Sequence, residues 1–160
     1  MSDQGNRGGQ QPNNPANQSR PIASVTDIIG SSTAEFVSDL DELAKKTGQN
    51  IKSVTTSQIR GVFSIVREIE QETLRLSDDD VLPNRLQSRL TMLKPKLAYQ
   101  VGRAPTMKRK PMEELQQLLT RAIDQVMKTG KVYAFRNFMN LFEAIIAYHR
   151  FYGGSEKEQR

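Results

Sequence analysis

From residue 55 to residue 152, apolar side chains recur every three or four positions, and no segment sustains one-by-one alternation. That spacing matches the 3.6-residue turn of an α-helix, and it leaves no segment suited to a half-buried strand. The expected fold is therefore all-α: a small helical bundle of four main helices, preceded by a short helix.

Capping residues, prolines and glycines divide the pattern. Thr55-Thr56-Ser57-Gln58 has capping-box spacing, with Thr55 as N-cap and Gln58 three residues on. Behind it Ile59, Val62, Phe63, Val66 and Ile69 mark one face of a helix running to about Leu76. A second helix begins near Pro83, a residue suited to a first turn. It carries Leu86, Leu90, Leu93, Leu97 and Val101 on one stripe and ends at Gly102, and Pro95 inside it predicts a kink. Residues 103–111, RAPTMKRKP, read as a basic loop with two prolines. A third helix is expected over 111–128, with Gly130 closing it, and a fourth over 131–152, stopped by Gly153-Gly154. Upstream, Phe36, Leu40 and Leu43 predict a short helix over 34–46, with Gly48 just beyond its end.

The termini read differently. Gly, Gln, Asn and Pro dominate residues 1–20, which cannot offset their ordering entropy and are expected to be disordered. Ile22, Val25, Ile28 and Ile29 make residues 21–33 a peripheral segment that docks onto the core. The expected organisation is a disordered or loosely docked tail over 1–33, a bundle domain over 34–154 and a disordered tail over 155–160.

Residue types exclude most chemistry. The sequence has no cysteine, which removes disulfides, thiolate metal sites and cysteine nucleophiles. Its one histidine, His149, falls on the apolar stripe of the fourth helix and reads as packed or hydrogen-bonded. No nucleophile elbow or glycine-rich phosphate loop accompanies it. Asp78-Asp79-Asp80 reads as a solvated loop, because no further ligand spacing supports a metal. No catalytic residue, metal or cofactor is expected, and the chain is read as non-enzymatic. No apolar run approaches the ~20 residues that span a bilayer, and the N-terminus has no apolar signal region, so a cytoplasmic protein is expected.

The fourth helix holds seven of the ten aromatic residues. Phe135, Phe138, Phe142, Ile145, His149 and Tyr152 form one stripe, which Met139, Leu141, Ile146 and Tyr148 widen almost around the helix. Such a helix is either central to its bundle or also faces a partner.

Charge is concentrated. Residues 85–136 hold twelve bases and three acids, a net +9 inside a chain of net +5. A block of that size within a foldable region points to a polyanionic partner. Arg85, Arg89, Lys96 and Arg103 fall within roughly 40° of one another on an ideal wheel, beside the leucine stripe. Arg60 and Arg67 share a polar face on the preceding helix. Guanidinium groups in a row suit successive phosphates, gripping them without reading bases. An ordinary solvated face is the competing reading, and it would want acidic partners four residues away, which this helix lacks.

Three stretches in order, TTSQIR at 55–60, LKPKLAYQVGR at 93–103 and FEAIIAYHRFYGG at 142–154, resemble the small subunit of the type III-A CRISPR effector, the Csm complex. The resemblance covers about residues 50–154. It implies a non-catalytic helical subunit, present in several copies along a guide-RNA ribonucleoprotein, that helps hold target RNA and sense complementarity in antiviral defence. The implied partners are guide RNA, target RNA, the backbone and large Csm subunits, and neighbouring copies of the chain. Carried over onto the motifs, Arg60 and Arg103 become target-RNA contacts. Lys94 is carried over too, although the ideal wheel puts it opposite Arg85. Arg85, Arg89 and Lys96 join them through the cation row, and Lys108, Arg109 and Arg136 through charge and position alone. A helical protein–protein adaptor with an incidental basic face is the alternative.

Overall fold

The computed structural model describes residues 20–154. The disorder expected of residues 1–19 and 155–160 lies outside the described residues. Seven α-helices follow in order: α1 (Val25–Gly30), α2 (Val37–Asn50), α3 (Thr56–Thr73), α4 (Asn84–Thr91), α5 (Leu93–Arg103), α6 (Thr106–Thr129) and α7 (Val132–Phe151). A 3-10 turn, Ala34–Phe36, leads into α2. Among the described residues there is no strand, only an isolated bridge between Val81 and Lys131. The fold is all-α, and no described helix is long and apolar enough to cross a membrane.

The aromatic helix is central. α7 packs against α1, α2, α3 and α6, and Phe135, Phe138, Phe142 and Ile145 are fully buried. Phe63 of α3 meets Phe142 edge-on, with ring centroids 5.1 Å apart. Each buried Phe contributes about 1.5–3 kcal/mol relative to exposure, so this helix anchors the bundle. Its outward face is a narrow strip, Asn140, Glu143, Ala147 and Arg150, and among its large apolar side chains Phe151 at the C-terminal tip is 77% exposed.

α2 departs from its expected end. It runs to Asn50, so Gly48 lies inside the helix. A Cβ at Gly48 would sit 2.7 Å from the His149 backbone nitrogen and from Tyr148 Cβ. The glycine marks a close crossing of α2 on α7, not a stop. His149 itself is buried and donates from Nε2 to the Val54 carbonyl at 2.7 Å, a structural bond. α1 docks through Val25, Ile28 and Ile29, and Asn137 of α7 donates to the carbonyls of Ile29 (3.0 Å) and Ser31 (2.8 Å). Asp39 of α2 ties down the chain before α1, accepting from Ala23 N (3.2 Å) and pairing with Arg20 (3.1 Å).

Two prolines act differently from expectation. Pro95 has no N–H for the Thr91 carbonyl, and the helix breaks there into α4 and α5 with Met92 between them. Pro95 then occupies the first turn of α5, where a missing donor costs little. Residues 103–111, expected as a loop, are mostly helix. α6 begins at Thr106, directly after Pro105, and Pro111 lies within it. The bond Pro111 forgoes is to Met107, on a turn so exposed (Met107 is 93% exposed) that solvation offsets the loss. Lys108 and Arg109 therefore stand on a helix start.

Candidate nucleic-acid interface

The Asp78–Asp80 segment is structural. Ser77 N donates to the Asp80 carboxylate (2.7 Å), while the Asp78 and Asp80 carbonyls accept from Tyr133 N and Val132 N (3.0 Å each). Among the described residues, no group of three or more His, Asp or Glu is placed to hold a metal ion. Arg136 belongs to the same seam. It pairs with Asp78 and donates to the Leu76 (2.7 Å) and Thr73 (3.2 Å) carbonyls, capping the C-terminal end of α3. Charge and position marked Arg136 for a polyanion, but tertiary structure engages it internally.

The cation row is divided by its neighbour. α4 and α5 run antiparallel along α3, so each arginine or lysine meets a different part of that helix. Arg85 pairs with Glu72, and Arg89 lies between Glu72 (2.6 Å) and Glu68 (2.8 Å). The hydrogen bond from Arg85, aided by the charges of Arg85 and Arg89 and the Arg89 hydrogen bond, holds the Glu72 carboxyl below its ordinary pKa against the opposing effect of desolvation. The acids missing from the i+4 positions thus come from the adjacent helix. A sequence signal existed: Glu68 and Glu72, four apart, match Arg85 and Arg89, also four apart. Only the antiparallel register brings them together. Lys94 is taken up separately, in a pair with Asp124 of α6.

Beyond Glu68 the pattern changes. Residues 57–66 of α3, all of α5 and residues 106–112 of α6 contain no acid, and the first acids of α6 are Glu113 and Glu114. Arg60, Lys96, Arg103 and Arg109 are exposed there, with Lys108 half-buried. Among the described residues none of the five has an ion pair. Arg109 donates to the Ala104 carbonyl at 3.4 Å, at the junction of α5 and α6. These five cations carry no ion pair, whereas Arg85, Arg89, Lys94 and Arg136 are paired. Lys96 stands at the border, lining one groove with Gly61 and Tyr99 and the next with Glu68 and Arg89.

The first of these grooves lies between α3 and α5, enclosing about 440 Å³. Gly61, Ile65, Met92, Lys96, Tyr99 and Gln100 contribute to its walls. Tyr99 is 62% exposed, and the Arg103 guanidinium carbon is 5.6 Å from its ring centroid. Charge alone does not mark Tyr99; a tyrosine four residues before an arginine on one helix face is the signal the chain carries for it. Arg60 is exposed on α3 next to Gly61, and Arg67, seven residues on, pairs with Glu70 at 3.4 Å with its guanidinium 6.0 Å from the Phe63 ring.

Exposed guanidinium and ammonium groups without carboxylate partners, beside an exposed phenol ring, are chemically suited to holding a polyanion. The family model for type III-A Csm2 matches residues 34–155. A protein of Enterococcus italicus named "CRISPR system Cms protein Csm2" is 30% identical over 99 residues, which cover 62% of this chain and 68% of the relative.

Proposed function

Because the chain belongs to the type III-A Csm2 family, small subunits of a CRISPR effector, we propose that it is a non-catalytic subunit holding the RNA backbone through the acid-free segments of α3, α5 and α6. Arg60, Lys96 and Arg103 are the central contacts in this reading, with Lys108 and Arg109 flanking them. The ligand is the phosphate backbone of target RNA, alone or paired with guide RNA, and grip on that backbone is how the subunit helps report complementarity. Neighbouring copies and the backbone and large subunits of the effector complete its surroundings.

One observation carries the reading: among the described residues Arg60, Lys96, Arg103, Lys108 and Arg109 have no ion pair, and no carboxylate lines the groove between Gly61 and Tyr99. Exposed guanidinium groups grip phosphates with paired donors, and each neutralised phosphate releases counterions. The test is a salt titration of RNA binding with the full chain. Arg60→Ala combined with Arg103→Ala should weaken binding for all sequences alike and lower the salt slope by about 1.5–2 units. Both residues are exposed, so thermal stability should move by no more than ~0.5 kcal/mol for each. Unchanged binding in the double variant would favour the adaptor reading, in which the basic face is incidental.

A further inference from the structure

We infer that the groove between α3 and α5 is a slot for a single unpaired nucleotide, its base resting against Tyr99 and its phosphate held by Lys96 and Arg103. This inference rests on the phosphate-binding reading above and specifies what the groove takes.

Three features select this occupant. The first is chemistry: the groove is lined by Met92, Ile65 and an exposed phenol ring, and flanked by two cations. An apolar, aromatic surface beside phosphate ligands is the general plan of single-strand binding, since every base has a face that can stack. The second is space. A Cβ added at Gly61 would meet nothing within 4 Å, so the wall opposite Tyr99 is open. The cavity, at about 440 Å³, falls at the small-ligand end of the usual range of roughly 300–1,000 Å³.

The third feature is direction. The groove continues past Ile65 toward Arg89, where Lys96 borders it too, but Glu68 lines that stretch and would repel a phosphate, so the phosphate belongs on the Tyr99 and Arg103 side of Lys96. The acid-free part runs from Gly61 to Ile65, about 6 Å of helix axis at ~1.5 Å per residue. That is room for one ring system, and too short for the apolar face of a partner helix, which needs anchors over two turns. Gln100 is the only uncharged polar side chain on the groove wall beside the tyrosine. With so few directed donors and acceptors, the slot should accept any base.

The experiment compares three labelled ligands with the full chain: a short single-stranded RNA, the same backbone with abasic positions, and a blunt RNA duplex. Tyr99→Ala should weaken binding of the base-bearing single strand by about 5- to 100-fold. It should leave the abasic strand and the duplex unchanged, and Tyr99→Phe should behave as the parent. Arg60→Ala, a phosphate contact away from the ring, should weaken all three. An equal loss on the abasic strand would overturn the slot, because the ring would then only position Arg103. So would a neutral Tyr99→Ala with an intact salt slope, which leaves the phosphate reading standing. If Tyr99→Ala reduces incorporation into the effector while RNA affinity holds, the groove is a protein contact and the inference falls. A parent chain that binds none of the three would remove the phosphate reading and the slot together.

Discussion

Arg89 of α4 reaches Glu72 of α3 at 2.6 Å, and with the Arg85–Glu72 and Arg89–Glu68 pairs this contact neutralises half of the cation row. Substituting Glu68→Gln and Glu72→Gln together should release both arginines to solvent without changing their number. RNA binding should tighten, and the salt slope should steepen by up to about two units. In the parent, Arg85→Ala should change RNA affinity far less than Arg103→Ala. A slope unchanged by the double glutamine variant would mean that RNA never reaches this part of α4.

Arg136 should separate structure from binding. Arg136→Ala removes the charged donor to the Thr73 and Leu76 carbonyls and the pair with Asp78. Hydrogen bonds to charged groups contribute about 1.5–3 kcal/mol, so a clear fall in thermal midpoint is expected. RNA affinity of the folded fraction should stay at the parent value, in contrast to Arg60→Ala. Calorimetry beside the binding titration distinguishes the two.

Two glycine-to-alanine changes should have opposite signs. At Gly48 the added Cβ would lie 2.7 Å from backbone and side-chain atoms of α7. Overpacking there costs about 1–3 kcal/mol, more than the helix-propensity gain of up to ~1 kcal/mol. At Gly61 the Cβ meets nothing within 4 Å, so only the propensity gain remains. Differential scanning calorimetry should show Gly48→Ala melting lower than the parent, and Gly61→Ala melting higher by about 2–4 °C.

Stability should fall at both pH extremes through two identifiable groups. Glu72 has its folded pKa lowered from 4.5, chiefly by the Arg85 hydrogen bond. Its contribution is therefore complete above that value and is lost as pH falls through the folded value. Tyr148 donates to Asp41 at 2.6 Å, and that hydrogen bond raises the phenol above its ordinary 10.0. Its contribution is complete below pH 10.0 and is lost as pH rises through the folded value. Glu72→Gln should flatten the acid limb of a denaturation series, and Tyr148→Phe the alkaline limb. An acid limb unchanged in Glu72→Gln would show that the Arg85 pair does not persist in solution.

The order of the long helices was readable from the chain because periodicity, caps and leucine stripes are local properties. Ile59, Val62, Val66 and Ile69 face the core as their spacing requires, and Thr55 and Gln58 form the capping box their sequence spells. The place of His149 on the apolar stripe implies a packed or hydrogen-bonded side chain, and the 2.7 Å contact with Val54 agrees. Proline and glycine were harder, since each residue type serves several ends. Pro95 divided a helix, Pro111 entered one, and Gly48 marked a crossing, and their consequences depend on which neighbour stands opposite.

Charge shows the same division more sharply. Composition placed a +9 block within residues 85–136, and periodicity put four of its cations on one stripe. Neither property says which of those cations remain unneutralised. That depends on acids from other elements: Glu68 and Glu72 from α3, Asp124 from α6 and Asp78 from the loop after α3. The antiparallel register of α3 against α4 and α5 pairs acids with one half of the row and leaves Lys96, Arg103 and, on α3, Arg60 without ion pairs. Coulomb energy falls with separation in space and takes no account of separation along the chain. The sequence by itself therefore determined how many charges there are and which faces carry them, and the tertiary structure alone decided which of them stay free.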